Sequence, residues 1–172
     1  MIVVLMGVSG SGKTTLGTLL AERTCASFAD ADDFHSAANK AKMAAGIALT
    51  DEDRQPWLET LNGILRGWLA SGQSGVLACS ALKAKYRETL AAGMPNDAVQ
   101  FVLLDAPRET IAARLAARRH EYMTGSLLDS QLSTLEIPQD AIRVVNNRTP
   151  VEVTDEILSK LQARSVDGKQ VI

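Results

Sequence analysis

Short apolar runs alternate with longer segments of mixed polarity along almost the whole chain. Ile2-Val3-Val4-Leu5-Met6 is continuous and rich in β-branched residues, which suits a strand buried on both faces. Further strands are predicted at 27–30, 75–79, 99–104 and 141–146. Helices are predicted at 14–23, 39–45, 54–70, 83–91, from Pro107 to 118 or 119, and 150–163. Trp57, Leu61, Ile64 and Trp68 fall on one helical stripe and read as core. Residues 164–170 are polar and are expected to fray. Five alternations of strand and helix predict an α/β domain with a central parallel sheet flanked by helices. The segment 120–138 has weak periodicity, and a loop of that length in a compact domain is expected to be a lid.

Composition acts here mainly by exclusion. The 172 residues suit a single domain over 1–172, with 46% hydrophobic and 22% charged residues. A net charge of −2 leaves no basic stripe for nucleic acid. The first apolar run is too short for a membrane span and lacks the flanks of a signal peptide, so a cytoplasmic location is expected. Cys25 and Cys79 form no disulfide framework and read as inert packing residues.

Chemistry enters at Gly7-Val8-Ser9-Gly10-Ser11-Gly12-Lys13-Thr14, which matches G-x-x-x-x-G-K-[ST] between a buried strand and a helix. Backbone N–H groups from Gly7 to Thr15, with the helix N-terminus, are expected to cradle the phosphates of ATP. Lys13 would reach the β- and γ-phosphates, and the Thr14 hydroxyl would ligate Mg2+. A dinucleotide-binding turn fits less well, because no glycine lies three residues after Gly12. Neither the N-K-x-D of guanine-nucleotide switches nor the L-S-G-G-Q of transporter ATPases occurs.

Asp30, Asp32 and Asp33 stand where the second strand should end. Residues i and i+2 of an extended segment point the same way. Asp30 and Asp32 are therefore expected to face the γ-phosphate together, one holding Mg2+ through water and one meeting an acceptor hydroxyl. Asp105 resembles a Walker B aspartate but reads as a helix cap before Pro107. Arg114 and Arg118 share a helix face and are expected to bring guanidiniums to the phosphates, Arg114 at the nucleotide and Arg118 in catalysis.

Further strings make the chain resemble the gluconate kinases, relatives of shikimate and nucleoside-monophosphate kinases. They include Asp30-Ala31-Asp32-Asp33-Phe34-His35, Asp51-Glu52-Asp53-Arg54, Pro56-Trp57-Leu58, Cys79-Ser80-Ala81-Leu82-Lys83 with Tyr86-Arg87, and Ser130-Gln131. The resemblance covers nearly the whole chain. It implies a five-stranded P-loop fold with a substrate-binding segment at 33–60 and a helical lid at 119–138. It also implies a homodimer, and transfer of the ATP γ-phosphate to the 6-hydroxyl of D-gluconate. Asp30 would then help hold Mg2+, Asp32 would orient or deprotonate the hydroxyl, and Lys13 would assist catalysis. For an anionic polyol, His35, Arg54, Ser80, Lys83 and Arg87 are the expected contacts, with Arg54 the first choice for the carboxylate. A kinase for another small acceptor, or a nucleotide-binding module without phosphotransfer, remains the alternative. Two departures from the family pattern stand out: Ser36 where proline is usual, and Glu121 at the lid histidine position.

Overall fold

The computed structural model describes residues 1–117 and 125–167. Its centre is a parallel sheet of β1 (Ile2–Met6), β2 (Ser27–Asp30), β3 (Gly75–Ala78), β4 (Val99–Asp105) and β5 (Ile142–Val145), in the order β2-β3-β1-β4-β5. Every residue of β1 is buried between helices on both faces, hence its unbroken apolar run. The chain first builds to one side of β1 and then crosses to the other at β4. Open α/β sheets gather ligands at the strand C-termini where the order reverses in this way.

The helices are α1 (Lys13–Thr24), α2 (Ala37–Ala44), α3 (Asp51–Ala70), α4 (Ala84–Ala91), α5 (Arg108–Ala116), α6 (Gly125–Thr134) and α7 (Pro150–Asp167). Ile2, Val4 and Met6 pack with Trp57, Leu58, Leu61 and Leu65 of α3 and Tyr86 and Leu90 of α4. Val3 and Leu5 point the opposite way, onto Leu16 and Leu20 of α1 and Val153 and Ile157 of α7. A smaller cluster joins Val8 to Leu82, to Ile111 and Leu115 of α5, and to Leu128 of α6.

Several boundaries differ from the sequence expectation. α3 starts at Asp51, three residues before the expected Arg54, because Thr50 and Asp53 form a reciprocal cap. Asp53 N donates to Thr50 Oγ1 at 3.2 Å and Thr50 N to Asp53 Oδ2 at 3.0 Å. Residues 164–167, expected to fray, continue α7, and much of the expected lid is α6. Cys25 is exposed and ends α1 in a left-handed conformation, so it is no packing residue; Cys79 is buried. Among the described residues, no helix is long and apolar enough to cross a membrane.

Candidate active site

The turn between β1 and α1 lies at the C-terminal edge of the sheet, at the reversal point. Gly12 has φ +97°, and a Cβ there would lie 2.4 Å from Asn146 Nδ2, so only glycine fits. At Gly7, φ is +143° and a Cβ would lie 2.8 Å from the Leu104 carbonyl. The loop thus bends into a concave backbone surface ahead of the α1 N-terminus, the geometry that receives anions. Lys13 Nζ folds back over it, donating to the Gly7 and Val8 carbonyls at 3.1 Å each. Ser11 Oγ is buried with no hydrogen-bond partner among the described residues. Thr14 and Thr15 are exposed at the start of α1.

Two residues absent from the sequence-based site hold this loop. Asn146, just past β5, donates from Nδ2 to the Ser11 carbonyl at 2.7 Å, a buried bond. Arg114 Nη2 donates to the Asn146 carbonyl at 3.0 Å, which places this arginine beside the loop. Gln131 of α6 accepts from Ser9 N at 2.8 Å and donates to Ser9 Oγ at 3.3 Å. The Ser9 N–H, expected to serve the phosphates, is therefore engaged by a side chain. A polar residue directly after an apolar strand was the available signal for Asn146; periodicity carried none for Gln131. Arg118 and residues 119–124 lie outside the described residues.

On the other side of the cradle, Asp30 Oδ2 accepts from Thr14 Oγ1 at 2.7 Å. Its Oδ1 accepts from Asp32 N at 3.1 Å and caps a 3-10 turn over Ala31–Phe34. This corrects the strand-alternation argument, since Asp32 belongs to a turn and not to an extended segment. The Asp32 side chain is 86% exposed, with Oδ1 4.0 Å from His35 Nε2. The His35 side chain is only 6% exposed. Its ring stacks on Trp57 at 4.2 Å between centroids and 15° between planes. Trp57 Nε1 in turn donates to the Ala31 carbonyl at 2.7 Å, so this core residue also floors the site. Burial first, then Arg54 and Lys40, lowers the His35 pKa below its ordinary value, which favours the neutral ring.

The remaining expected contacts separate into two groups. Ser80 lies against the loop through its backbone, accepting from Gly7 N at 3.2 Å. Arg54 Nη1 donates to the Leu49 and Thr50 carbonyls, with Cζ 5.8 Å from the Tyr86 ring centroid. Lys83 precedes α4, with Nζ 3.1 Å from Asp51 Oδ1. Ser80 thus sits by the cradle, while Arg54 and Lys83 gather at the Tyr86 ring. Arg87 joins neither: it is 9% exposed and donates to the Ala81 and Leu82 carbonyls at 2.9 and 3.2 Å. It clamps the turn in which Ala81 takes φ +44°, and burial lowers its pKa. Ser36, in the place of a proline, caps α2 by accepting from Asn39 N at 3.1 Å. Asp105 is no helix cap; its Oδ2 accepts from Arg143 Nη2 at 3.0 Å. Beside His35 and Trp57, a cleft of about 370 Å³ opens between α2 and α3, lined by Phe34, Ser36, Asn39 and Pro56 among others.

A glycine-bent phosphate cradle, a lysine folded over it and a threonine–aspartate pair at its rim together define a P-loop kinase. A family model described as an AAA domain matches residues 2–138. The chain is 44% identical to the thermosensitive gluconokinase of Escherichia coli (strain K12), over 89% of this chain and 83% of that one. It is also 44% identical to the gluconokinase of Gluconobacter oxydans (strain 621H), over 94% and 91%. The crystal structure of a gluconokinase from Sinorhizobium meliloti 1021 superposes with a TM-score of 0.84 at 36% identity, covering 98% of this chain and 96% of that one. The chain belongs to the gluconokinase family, the ATP-dependent phosphotransferases of sugar acids.

Proposed function

We propose that this protein transfers the γ-phosphate of ATP to the 6-hydroxyl of D-gluconate, giving 6-phospho-D-gluconate. The observation that carries the acceptor is the 44% identity to two gluconokinases across about nine-tenths of the chain. The site supports the chemistry. Backbone N–H groups of the cradle and the α1 N-terminus bind the triphosphate, and Lys13 exchanges the Gly7 and Val8 carbonyls for phosphate oxygens. Arg114 borders the nucleotide, and Arg118 is assigned to catalysis from the sequence pattern alone.

Thr14 Oγ1 and the Asp30 carboxylate already touch, and an all-oxygen pair of this kind suits a hard cation that keeps most of its water. They are the residues that would hold Mg2+, whose chemistry there is to neutralise charge on the phosphates. Asp32 accepts a hydrogen bond from the 6-hydroxyl and takes its proton as the phosphoryl group moves. The transition state is loose, so orientation outweighs base strength. Neutral His35, fixed by Trp57, borders Asp32, while Arg54, Lys83 and Ser80 face the acceptor from 33–60 and the α4 start. A homodimer, which the family resemblance of the sequence implies, and a cytoplasmic location are part of the same proposal.

The test is ATP consumption across D-gluconate, other sugar acids, shikimate and nucleoside monophosphates. Best turnover is expected with D-gluconate. A preference for shikimate or a nucleotide would replace the acceptor, and ATP binding with no turnover on any of them would reject the kinase reading.

A further inference from the structure

Asp51 is the first residue of α3, next to its Thr50 cap. Its carboxylate leaves its own helix and crosses to the start of α4. Lys83 Nζ donates to its two oxygens at 3.1 and 3.2 Å, Lys85 Nζ donates to Oδ2 at 2.5 Å, and the Tyr86 hydroxyl donates to Oδ1. Arg54 Cζ, Lys83 Nζ and Lys85 Nζ all lie around the Tyr86 ring, at 5.8, 5.5 and 5.9 Å from its centroid. Three cations thus converge on one ring with a single carboxylate bound among them. The cluster adjoins the reaction centre. Arg54 is near enough to depress the proton affinity of His35, and His35 reaches to within 4.0 Å of Asp32.

The geometry points to Asp51 as the positioning residue that orders this cation cluster for the carboxylate end of the acceptor, and so sets the preference for sugar acids over neutral polyols. The inference deepens the gluconate reading and rests on it.

Two effects of Asp51 oppose each other. Its negative charge repels an anionic acceptor, yet it also holds two long, flexible lysine side chains in one place. Ordering lysines costs rotamer entropy, and a ligand meeting cations already ordered does not incur that cost again. Repulsion between partly exposed charges is weakened by water and salt. The ordering rests on direct hydrogen bonds from both lysines and the Tyr86 hydroxyl, which screening weakens less than a longer-range repulsion, so it prevails. Helix capping does not account for the residue, because Thr50 and Asp53 complete the cap and Glu52 also stands in the first turn. Nothing in that role requires the carboxylate to reach α4. An amide would keep the shape, but without charge it would not hold both ammoniums.

The experiment compares wild type, Asp51→Asn and Asp51→Glu in steady-state kinetics with D-gluconate, ATP and the neutral polyol D-glucitol. Asp51→Asn is expected to raise the gluconate KM about tenfold, the loss of one charge-assisted interaction. The ATP KM should stay unchanged, kcat should fall by less than KM rises, and the gluconate-to-glucitol ratio of kcat/KM should shrink. Asp51→Glu should restore part of that ratio. A purely structural Asp51 would lower Tm while leaving the gluconate KM and the ratio as they were. That result, or a lowered gluconate KM, overturns the proposal. Wild type inactive with gluconate would bring down the acceptor reading as well, whereas active wild type with an indifferent Asp51→Asn refutes this inference alone.

Discussion

Gln131 and Ser9 are joined by two hydrogen bonds, 2.8 Å from Ser9 N to Gln131 Oε1 and 3.3 Å from Gln131 Nε2 to Ser9 Oγ. The contact fastens α6 to the phosphate cradle, and Leu128 of α6 packs in the same cluster as Val8. Further along, Glu136 N donates to the Leu82 carbonyl at 2.9 Å and Glu136 Oε2 accepts from Ala84 N at 2.6 Å. Residues 131–136 therefore brace both the cradle and the start of α4. Gln131→Ala leaves the Ser9 N–H of a partly buried loop unmatched, a cost of about 1–3 kcal/mol. The ATP KM is expected to rise about tenfold, with the gluconate KM unaffected. Steady-state titration of each substrate checks this, and an unaltered ATP KM would show that the contact does not shape the cradle.

Asn146 holds the other flank of the loop through its buried bond to the Ser11 carbonyl. Asn146→Ala should destabilise the fold by about 1–3 kcal/mol and weaken ATP binding. Denaturant unfolding and calorimetric ATP titration report the two effects separately. Gly12→Ala should be worse for ATP, because the added Cβ meets Asn146 Nδ2 at a positive φ.

Thr14 and Asp30 touch at 2.7 Å across the rim of the cradle. If together they hold Mg2+, Thr14→Ala should require more Mg2+ for half-maximal turnover, and EDTA should abolish activity in both forms. A Mg2+ titration curve that superposes on that of wild type would remove Thr14 from the metal's environment.

Asp32→Asn is expected to lower kcat by about 10²–10⁴-fold, the usual contribution of a positioned acid or base, with ATP affinity retained. Retained turnover would move the acceptor hydroxyl away from this carboxylate.

His35 predicts a pH dependence of stability. Its folded pKa is depressed, chiefly by burial, so the unfolded chain binds the proton more readily. The stability is fully present above the unfolded value of about 6.5 and is lost as pH falls from there through the lower folded pKa. This window begins above the carboxylate range, where Asp51, Asp53 and Glu156, also shifted down, make their own losses. Urea unfolding between about pH 7 and 5 should show the decline in wild type and a flatter profile in His35→Gln. Equal slopes would assign the effect elsewhere.

The strands and the cradle were legible because their causes are local. β1 announces itself by five consecutive apolar residues, and the cradle by glycines placed where the backbone must turn back on itself. The acceptor side was legible only in part. Asp30, Asp32, His35 and Arg54 stand out in the sequence, but the relation between the two aspartates does not, because Asp30 caps a turn that ends strand alternation at that point. Arg87 was misplaced because a basic residue on an amphipathic helix looks the same whether it faces solvent or clamps a buried turn.

By itself, then, the order of residues determined the five strands, the bend of the loop at 7–12 and the identity of the groups around it, since each depends on neighbours within a few positions. Only the tertiary structure decided that Asn146 and Gln131 grip that loop, that Trp57 floors His35, and that Asp51 gathers Lys83, Lys85 and Tyr86. The reason is physical. Those contacts join residues far apart in the chain, and which of them meet is set by a sheet order that no local pattern encodes.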